Sequence, residues 1–532
     1  MRETQCDVLI VGGGTGGCAA ALAATLMGLQ VILTEETEWV GGQLTTQGVP
    51  PDEHRWIERL GCTGSYRHYR DRVRNYYRAN TPLTDEARNH PALNPGGGWV
   101  SQLCHEPRIG EIVLQQMLAD ANRKQNLQVL LTTVATGAYV VGDQVRSVSL
   151  QNTTNGDTTV VHAKFFLDAT ELGDLLPMTG TEYKLGAESK ADTHEPNAVE
   201  GPEQTDNIQG FTWVFALAND EGSHRVIDKP EQYKFWQNFR PAFWPGPFLG
   251  FTDINPVTGE PRFLPIYGGP AQPWFNGDFG LFTYRQIVKP ENFEPGSVPH
   301  PVTIVNWPQN DYFLGSILDA KPEEVAGHLH ASKQLSLSLL YWLQTEAPRP
   351  DGGVGYPGLY MRPDVMGTTD GFAKAPYVRE SRRIIAKTRV LEQDVAAYTN
   401  PGSDRAVTYN DSVGIGSYRL DLHPSTSGSG YIDTATLPFQ IPLGALVPVR
   451  VRNLIPACKN LGVTHITNGC YRLHPIEWNI GESAGLLASF CVSRGVEPDK
   501  IASSENLMKE FQGLLVARHI KIEWPRPEVL KW

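Results

Sequence analysis

The fold is decided by residues 6–35, which read CDVLIVGGGTGGCAAALAATLMGLQVILTE. An apolar run, Val8 to Val11, leads into a glycine cluster, and an Ala-rich segment then continues to Gly28. A second β-branched run, Val31 to Leu33, follows and ends in the acid Glu35. An apolar run, a glycine turn, a small-residue segment and a second apolar run are typical of a strand, a helix and a second strand parallel to the first.

The glycines of this unit fit the dinucleotide pattern G-x-G-x-x-G at Gly12, Gly14 and Gly17. The first permits a tight turn, the second lets the backbone approach a pyrophosphate, and the third lets the helix pack on the strand. Phosphates are expected at the helix N-terminus, where free N–H groups and the helix dipole favour anions. Glu35 ends the second strand and is placed to accept hydrogen bonds from ribose hydroxyls. This order predicts a dinucleotide site rather than a merely Gly-rich turn.

The composition is that of a globular protein long enough for two or three domains. Of its 532 residues, 40% are hydrophobic and 20% are charged. The 46 Lys and Arg residues against 58 Asp and Glu leave a net charge of −12 without a basic stripe. Nucleic acid and anionic membranes are therefore not expected as partners. No apolar run reaches the roughly 18 residues that a membrane helix needs.

The cysteines and the N-terminus favour a cytoplasmic protein. The seven cysteines are scattered, odd in number and never spaced C-x-x-C, which indicates a reducing compartment. The first apolar run begins too early to leave room for a secretory signal. No metal is expected, because the sequence has no H-x-x-x-H, no cysteine cluster and no paired acids at ligand spacing.

Further elements of the nucleotide-binding part follow. Gly41-Gly42 predicts a loop that returns the backbone toward the nucleotide, or else an ordinary Gly-Gly turn. The spacing over residues 66–77 predicts a helix with a packed tyrosine seam and solvated arginines, and residues 107–122 predict another helix that begins at a proline. A short strand at Val129 to Leu131 and antiparallel strands around Asn155-Gly156 complete this part.

Residues 176–440 have a different texture, dense in Pro, Gly, Trp and Phe. We interpret them as an inserted α+β substrate-binding domain. Residues 1–175 and 441–500 then form a discontinuous nucleotide-binding domain, and residues 501–532 form a C-terminal tail. The aromatic residues of the insert either pack its core or line a pocket for an apolar or planar substrate.

Four more elements are predicted from apolar spacing. Helical spacing recurs at residues 335–343 and again at residues 381–395. Near the C-terminus, residues 453–457 predict a short strand, and residues 480–493 predict a small-residue helix. Small residues let a helix approach a ligand closely, here by its N-terminal end.

A second G-x-G-x-x-G pattern occurs at Gly353, Gly355 and Gly358. It follows no strand, and Pro357 stands where the helix should rise, so we reject it as a nucleotide fingerprint. One fingerprint predicts one tightly held dinucleotide, without a second domain for a nicotinamide cofactor. Taken alone, this fingerprint allows NAD or FAD.

Together, these motifs resemble the FAD-dependent oxidoreductase family, whose FAD fold is of the glutathione-reductase type. The resemblance implies an α/β fold: a Rossmann-like FAD-binding domain, made of a parallel sheet plus a β-meander, with an inserted α+β substrate domain. Matching stretches run from end to end of the chain: GQL at 42–44, DATELGDL at 168–175, VNWPQNDY at 305–312, YVRESRRI at 377–384, DSVGIGSYRLDLH at 411–423, PFQIPLGALVP at 438–448 and NLIPACKNLGVTH at 453–465.

The resemblance also implies how FAD is held. The ADP half would lie on the first unit with Glu35 on its ribose, Val134 near adenine, and the positive end of the Gly481 helix at the flavin. The full set of implied FAD residues is Gly12, Gly14, Thr15, Gly16, Gly17, Glu35, Glu36, Gly42, Gln43, Leu44, Val134, Ala169, Thr170, Asp174, Asn460, Gly481 and Glu482.

The chain departs from the family pattern at two places. Many relatives have a basic residue shortly before the Gly-Gly pair, whereas Glu38-Trp39-Val40 stands here. A glycine is common where this chain has residues 457–460, ACKN. One pyrophosphate contact and one contact from the C-terminal strand are therefore left open.

Four residues are candidates for substrate chemistry. Arg379 and Arg382 are three residues apart, so on a helix they would share a face and hold a substrate carboxylate, or form a structural salt bridge with Glu380. His465 and His474 flank the loop that leads into the C-terminal helix. Each is either a proton carrier or a satisfied buried histidine.

The resemblance implies an FAD-dependent oxidoreductase that dehydrogenates a small organic substrate by hydride transfer to flavin N5. One alternative is an FAD monooxygenase that uses NAD(P)H and oxygen. Another is a non-redox isomerase or lyase in which FAD is structural. The expected partner is a small-molecule substrate, and the sequence carries no sign of the oligomeric state.

Overall fold

A computed structural model describes residues 2–269 and 278–525 of the chain. The predicted N-terminal unit is confirmed as strand β1 (Arg2–Val11), helix α1 (Thr15–Leu26) and strand β2 (Val31–Thr34), with β1 and β2 parallel. The turn between β1 and α1 requires glycine at position 12. Gly12 has φ +101°, and an added Cβ would lie 2.3 Å from the Ala169 carbonyl oxygen.

The next part of the chain is helical, and one of its helices corrects the prediction for the arginines. The tyrosine seam is buried as predicted. Arg70 and Arg74 are also buried rather than solvated, because Glu53 lies 2.9 Å from Arg70 and Glu58 lies 2.6 Å from Arg74. The helices are α2 (Gly64–Asn80), α3 (Asp85–Asn89) and α4 (Pro107–Ala121).

The central sheet has seven strands and confirms the predicted parallel sheet with a β-meander. Its order is β3-β2-β1-β6-β5-β4, in which β3, β2, β1 and β6 run parallel and β4, β5 and β6 form the antiparallel meander. A strand near the C-terminus, Leu454–Pro456, pairs with β6 in parallel. The added strands are β3 (Leu127–Leu130), β4 (Thr133–Val141), β5 (Gln144–Asn152) and β6 (Thr158–Asp168).

The middle of the chain has its own apolar cluster and a four-stranded antiparallel sheet in the order β12-β13-β9-β15. Its helices and strands are α5 (Leu175–Thr179), β7 (Tyr183–Lys184), α6 (Lys190–Thr193), β8 (Phe211–Thr212), β9 (Phe215–Asn219), α7 (Tyr233–Asn238), β10 (Thr252–Ile254), β11 (Pro261–Phe263), α8 (Leu281–Tyr284), β12 (Gln286–Val288), β13 (Val302–Val305), β14 (Asp311–Tyr312), α9 (Pro322–Thr345), β15 (Leu359–Met361), α10 (Pro363–Met366), β16 (Arg383–Ile384), α11 (Glu392–Val395), β17 (Ser412–Gly416), β18 (Leu420–Leu422) and β19 (Ile432–Thr434). The boundaries of the predicted domains stay a prediction.

The predicted helix over residues 381–395 is wrong, apart from its last turn in α11. The backbone there is extended and donates to carbonyl oxygens of distant segments. Ile384 N–H bonds the Asn460 carbonyl at 3.0 Å, and Val390 N–H bonds the Gly462 carbonyl at 3.0 Å. Residues 377–384 are buried throughout, which suits a strand with both faces covered better than a helix with a solvated face.

The C-terminal segment returns to the N-terminal unit. Its long helix α13 packs parallel to α1 through small residues: an added Cβ on Gly481 would lie 2.0 Å from the Gly16 carbonyl oxygen, and one on Gly485 would lie 2.4 Å from that of Ala20. Within residues 2–269 and 278–525, no helix has the length and apolar character to cross a bilayer. The elements are β20 (Phe439–Pro442), β21 (Leu454–Pro456), α12 (His465–Tyr471), α13 (His474–Arg494), α14 (Pro498–Ala502) and α15 (Glu505–Ala517).

The start of α13 also corrects the prediction. The helix begins at His474, so Gly481 lies inside it and not at its N-terminal end. Gly481 contacts α1 instead, at a point where only a residue without Cβ fits.

We predict that Gly481→Ala destabilises the protein by about 3 kcal/mol, the upper end of what overpacking costs, because its Cβ meets backbone. Thermal unfolding followed by tryptophan fluorescence checks this. Gly513→Ala is the matched control: Gly513 lies in α15 with no atom near its absent Cβ, so alanine should leave the midpoint unchanged or slightly raised. Equal midpoints for the two variants would contradict the prediction.

Candidate functional site

A cavity of about 1010 Å³ opens at the carboxyl ends of β1, β2 and β6, the edge where α/β sheets bind ligands. We call it the nucleotide cavity. Its wall combines the glycine turn after β1, the acids after β2, the start of β4 and the turn after β6. The implied FAD residues that line it are Gly12, Gly14, Glu35, Glu36, Gly42, Val134, Ala169, Thr170 and Asp174.

Several implied FAD residues lie behind this wall instead. Thr15 Oγ1 donates to the Gly41 carbonyl oxygen at 2.9 Å, which ties the second glycine loop to the first. Gly16 and Gly17 allow close backbone packing, since an added Cβ on either would lie 1.9 Å from a carbonyl oxygen. Leu44 is buried in the apolar core. These residues shape the turn from behind.

The remaining implied FAD residues make contacts away from the cavity. Gln43 Nε2 donates to Glu477 Oε2 at 2.7 Å. Asn460 Nδ2 donates to the last carbonyl of β6 at 3.0 Å. Glu482 accepts a hydrogen bond from Ser65 Oγ at 2.5 Å, on the side of α13 that faces α2. Gly481 and Glu482 therefore brace α13 against its neighbouring helices.

Glu35 is held rigidly at the edge of the nucleotide cavity. Its Oε2 accepts the Gly13 N–H at 3.1 Å, and its Oε1 accepts both the N–H and the hydroxyl of Thr37 at 2.9 and 2.8 Å. Burial, reinforced by the neighbouring Glu36, raises the pKa of Glu35 to about 8, although the Thr37 bonds oppose this shift. The carboxyl group is thus close to its titration point at neutral pH.

A buried ionic cluster lies beside the glycine turn. Glu171 Oε1 reaches the space between Gly14 and Gly42, within 2.9 Å of the Cβ positions that those glycines lack. Lys459, only 1% exposed, forms an ion pair with Glu171 and lies 3.9 Å from Glu477 Oε2. Burial raises the pKa of the Glu477 carboxyl, while Lys459 lowers it. Lys459 thus brings a positive charge to a turn that has no basic residue before its Gly-Gly pair.

A second cavity, of about 970 Å³, lies between the inserted segment and the connection of α12 to α13. We call it the Arg–Tyr cavity. Tyrosines at 284, 377, 418 and 431 and five arginines line it. Each arginine pairs with one aspartate: Arg262 with Asp253, Arg285 with Asp52, Arg379 with Asp311, Arg419 with Asp433, and Arg472 with Asp421.

His423 lines the Arg–Tyr cavity between two carboxylates. Its Nδ1 lies 2.6 Å from Asp311 Oδ2 and its Nε2 lies 3.6 Å from Asp421 Oδ2. Although burial raises it, Arg379 and His423 hold the pKa of Asp311 below its ordinary value, so this carboxylate only accepts. Nδ1 of His423 therefore carries a proton, which it donates to Asp311.

The two predicted histidines lie elsewhere. His474 Nδ1 accepts the Asp52 N–H at 2.9 Å, and burial, with Arg285 nearby, places the pKa of His474 well below its ordinary value. His474 is therefore uncharged at neutral pH. His465 lines a smaller cavity of about 450 Å³, and its Nδ1 lies 3.0 Å from Glu380 Oε2.

The two predicted arginines, Arg379 and Arg382, do not act together. The prediction that they share a helix face is wrong. The extended backbone sends their side chains apart. Arg379 lies in the wall of the Arg–Tyr cavity and bonds Asp311 at 2.8 Å. Arg382 bonds Asp174 at 3.0 Å and Asp319 at 2.7 Å, toward the nucleotide cavity. Neither guanidinium can join the other on one carboxylate.

One extended segment separates the two cavities. Ala375, Pro376 and Val378 line the nucleotide cavity, whereas Tyr377 and Arg379 line the Arg–Tyr cavity. From residue 376 to residue 379 the side chains alternate between the two spaces, as neighbours in extended backbone do. The cavities therefore share a wall that is one segment thick.

Comparison with known proteins identifies the family. A sequence model of the FAD dependent oxidoreductase family matches residues 7–515. The chain belongs to this family. FAD is accordingly its cofactor. Among curated proteins, no sequence matches this oxidoreductase.

Solved structures resemble the oxidoreductase only remotely. L-proline dehydrogenase from P. horikoshii is 18% identical over 35% of this chain and 24% of its own, with a TM-score of 0.19. Glycerol-3-phosphate dehydrogenase from Bacillus halodurans, complexed with FAD, is 13% identical over 42% of this chain and 41% of its own, with a TM-score of 0.25. The matches thus span less than half of either relative. A geranylgeranyl bacteriochlorophyll reductase-like protein from Thermoplasma acidophilum is 11% identical over 98% of this chain and 85% of its own, with a TM-score of 0.31.

The nucleotide cavity of the oxidoreductase fits FAD. It joins an acid that can hold a ribose to a glycine turn at a helix N-terminus that can hold phosphates. Phosphates at this turn require the Glu171 carboxylate to leave the space between Gly14 and Gly42, with Lys459 beside them as the positive charge.

Sequence reasoning missed most residues of the Arg–Tyr cavity, although a signal was present. Asp311, Arg379 and His423 come from three of the stretches that carry the family resemblance. These three residues are more than 40 positions apart from one another in the chain, so the sequence does not show that they meet. Lys459 was missed because its segment, ACKN, lacks the glycine common in the family.

We predict that FAD binding tightens between about pH 6 and about pH 8, by up to about tenfold per pH unit. Ribose hydroxyls donate to ionised Glu35, whose pKa burial raises to about 8, so binding must first release its proton. For the same reason the contribution of Glu35 to stability is largest below its ordinary pKa of 4.5 and declines as the pH rises to about 8. Calorimetric titration of the apoprotein with FAD measures the dependence.

Glu35→Gln should bind FAD more weakly, with a flatter pH profile. Glu346→Gln is the control, since Glu346 contacts Gln237 in the inserted segment and does not line the nucleotide cavity. A pH profile that Glu35→Gln leaves unchanged would exclude Glu35 as the titrating group.

Proposed function

We propose that this oxidoreductase dehydrogenates a small polar organic molecule held in the Arg–Tyr cavity. When bound, FAD supplies a hydride acceptor at flavin N5. The observation that best supports the proposal is the wall shared by the two cavities, with Val378 on one side and Tyr377 and Arg379 on the other. Hydride transfer needs the reacting atoms within about 3.5 Å of each other, so the flavin end of FAD would have to pass this segment to reach a substrate in the Arg–Tyr cavity.

His423 is the group that takes a proton from the substrate. Its Nδ1–H is held by Asp311 at 2.6 Å, so Nε2, which lies 3.6 Å from Asp421 Oδ2, is the nitrogen that exchanges a proton with the substrate. Asp311 is in turn held by Arg379 at 2.8 Å and by Thr212 Oγ1 at 2.6 Å. A carboxylate that orients the ring and stabilises its protonated form is the usual support for a catalytic histidine. Arg379 is thus a positioning residue.

A polar substrate is supported by where the aromatic residues lie. In the inserted segment, Trp236, Phe239, Phe248 and Phe313 make edge contacts with one another at ring-centroid distances of 5.5 to 6.0 Å. They form the core of that segment rather than a pocket. The Arg–Tyr cavity presents guanidinium groups, carboxylates and phenol hydroxyls beside the side chains of Trp99, Trp307 and Leu281.

The test is anaerobic. The FAD-loaded protein is mixed in turn with hydroxy acids, amino acids, amines, aromatic alcohols and NAD(P)H, and the flavin absorbance near 450 nm is followed. We expect one polar organic class to bleach the flavin and NAD(P)H not to do so. Rapid bleaching by NAD(P)H alone would favour a monooxygenase, and turnover without any change in absorbance would favour a non-redox reaction. Either result would overturn the proposal.

We predict that His423→Gln slows flavin reduction by the bleaching substrate by about 10²- to 10⁴-fold, the usual contribution of a general base. Its FAD content should not change, since His423 does not line the nucleotide cavity. His330→Gln, on the exposed face of α9, serves as the matched control and should behave as the unchanged protein. A rate for His423→Gln within threefold of the control would remove His423 from the reaction.

A further inference from the structure

Arg285 is the least satisfied cation of the Arg–Tyr cavity. Its Nη1 lies 3.2 and 3.4 Å from the two oxygens of Asp52, and its Nη2 lies 3.4 Å from Tyr284 Oη. Its Nε has no partner among the described residues, and the residue is only 7% exposed. A guanidinium has five N–H donors, and burying them with long or missing bonds is costly.

The other arginines of the cavity wall are held more tightly. Arg262 bonds Asp253 through two nitrogens at 2.9 and 2.7 Å. Arg379 makes bonds of 2.8 to 2.9 Å to Asp311, to a hydroxyl and to a backbone carbonyl. Arg472 bonds Tyr377 Oη at 2.7 Å. Only Arg285 combines deep burial with contacts that are all longer than 3.1 Å.

The groups around Arg285 are mainly donors. Tyr284 Oη accepts from Arg285, and Tyr377 Oη accepts from Arg472, so each phenol keeps its own O–H for another acceptor. Tyr418 also lines the cavity and lies near the Arg285 guanidinium. Burial raises the pKa of these three tyrosines, which keeps their hydroxyls protonated.

Acceptors near Arg285 are few. Asp52 is the carboxylate that contacts it, at long distance. The other aspartates of the cavity are engaged by other arginines: Asp421 by Arg472, and Asp433 by Arg419. A sugar or other polyol brings equal numbers of donors and acceptors, which does not match this surplus of donors. A carboxylate brings acceptors alone.

We propose that the substrate is an organic acid whose carboxylate binds the guanidinium of Arg285 and the hydroxyls of Tyr284 and Tyr418. This inference rests on the proposed function, since it names the class of molecule that the Arg–Tyr cavity accepts. A planar guanidinium and a carboxylate make paired, charge-assisted hydrogen bonds, the strongest that this cavity offers. His423, in the same cavity, then meets a hydroxyl or amine elsewhere on the acid.

The test compares acids with their neutral amides on the oxidised, FAD-loaded protein, where no turnover is needed. Glycolate and glycolamide, and mandelate and mandelamide, are titrated by calorimetry and by the perturbation of flavin absorbance. We expect each acid to bind at least tenfold more tightly than its amide. Arg285→Gln should weaken acid binding by roughly 10- to 100-fold and leave amide binding within about threefold.

Arg225→Gln, at an exposed arginine outside both cavities, is the matched control. FAD content and thermal midpoint show whether each variant is folded. If Arg285→Gln does not fold, Tyr418→Phe replaces it and should weaken acid binding about three- to tenfold. Equal binding of acid and amide, or full acid affinity in a folded Arg285→Gln or Tyr418→Phe protein, overturns the inference, as does the failure of every acid to bind at high millimolar concentration.

Failure of this inference and failure of the proposed function are distinguishable. Acids that bind through Arg285 while no organic compound bleaches the flavin would refute the proposed function and support this site. Bleaching by neutral alcohols or amines, with no acid binding, would support the proposed function and refute the carboxylate site.

Discussion

The close contact between α1 and α13 is the constraint on which the rest of this structure depends. Gly16 and Gly481 bring two helix backbones together at a distance that no side chain allows. Because the helices are parallel, the start of α13 projects past the glycine turn at the start of α1. The connection from α12 to α13 is thereby carried, from the opposite end of the chain, to the Arg–Tyr cavity, whose wall includes Arg472. Burial of α1 from Thr15 to Thr25 follows from this contact and from the sheet beneath it.

The same packing explains why so many charges are buried. Lys459, Glu171 and Glu477 meet where α13, β21 and the turn after β6 converge, and each is held by an opposite charge or a hydrogen bond. A buried charge without such a partner is strongly unfavourable. In the Arg–Tyr cavity each arginine has an aspartate partner. Arg285 is the least well satisfied of them, because its hydrogen bonds to Asp52 are long and its Nε has no partner among the described residues. Incomplete satisfaction of a buried cation marks the position where a ligand contributes most.

Much of the fold could be predicted from residues 6–35 and the strands that follow, because their patterns are local. The first strand, helix and second strand, the meander after β3 and the helix that begins at Pro107 all appear where the spacing indicates. The helix predicted over residues 381–395 is wrong because the backbone partners of this segment, such as Asn460 and Gly462, are distant in sequence. Hydrogen bonds to these partners replace the local bonds of a helix. The prediction that Arg70 is solvated is wrong for a related reason, because Glu53, the carboxylate that pairs with it, lies outside its helix.

The sequence by itself determined the nucleotide-binding unit, the cofactor class through the family resemblance, and the acid at the end of β2. Those features depend on residues that are neighbours in the chain. Only the tertiary structure decided that Gly481 serves helix packing, that Arg379 and Arg382 diverge, and that His423 meets Asp311. Each of these depends on segments more than 60 residues apart or on the direction in which an extended backbone sends its side chains. The spacing of residues along the chain does not reveal such long-range contacts, because they result from the packing of whole helices and strands against one another.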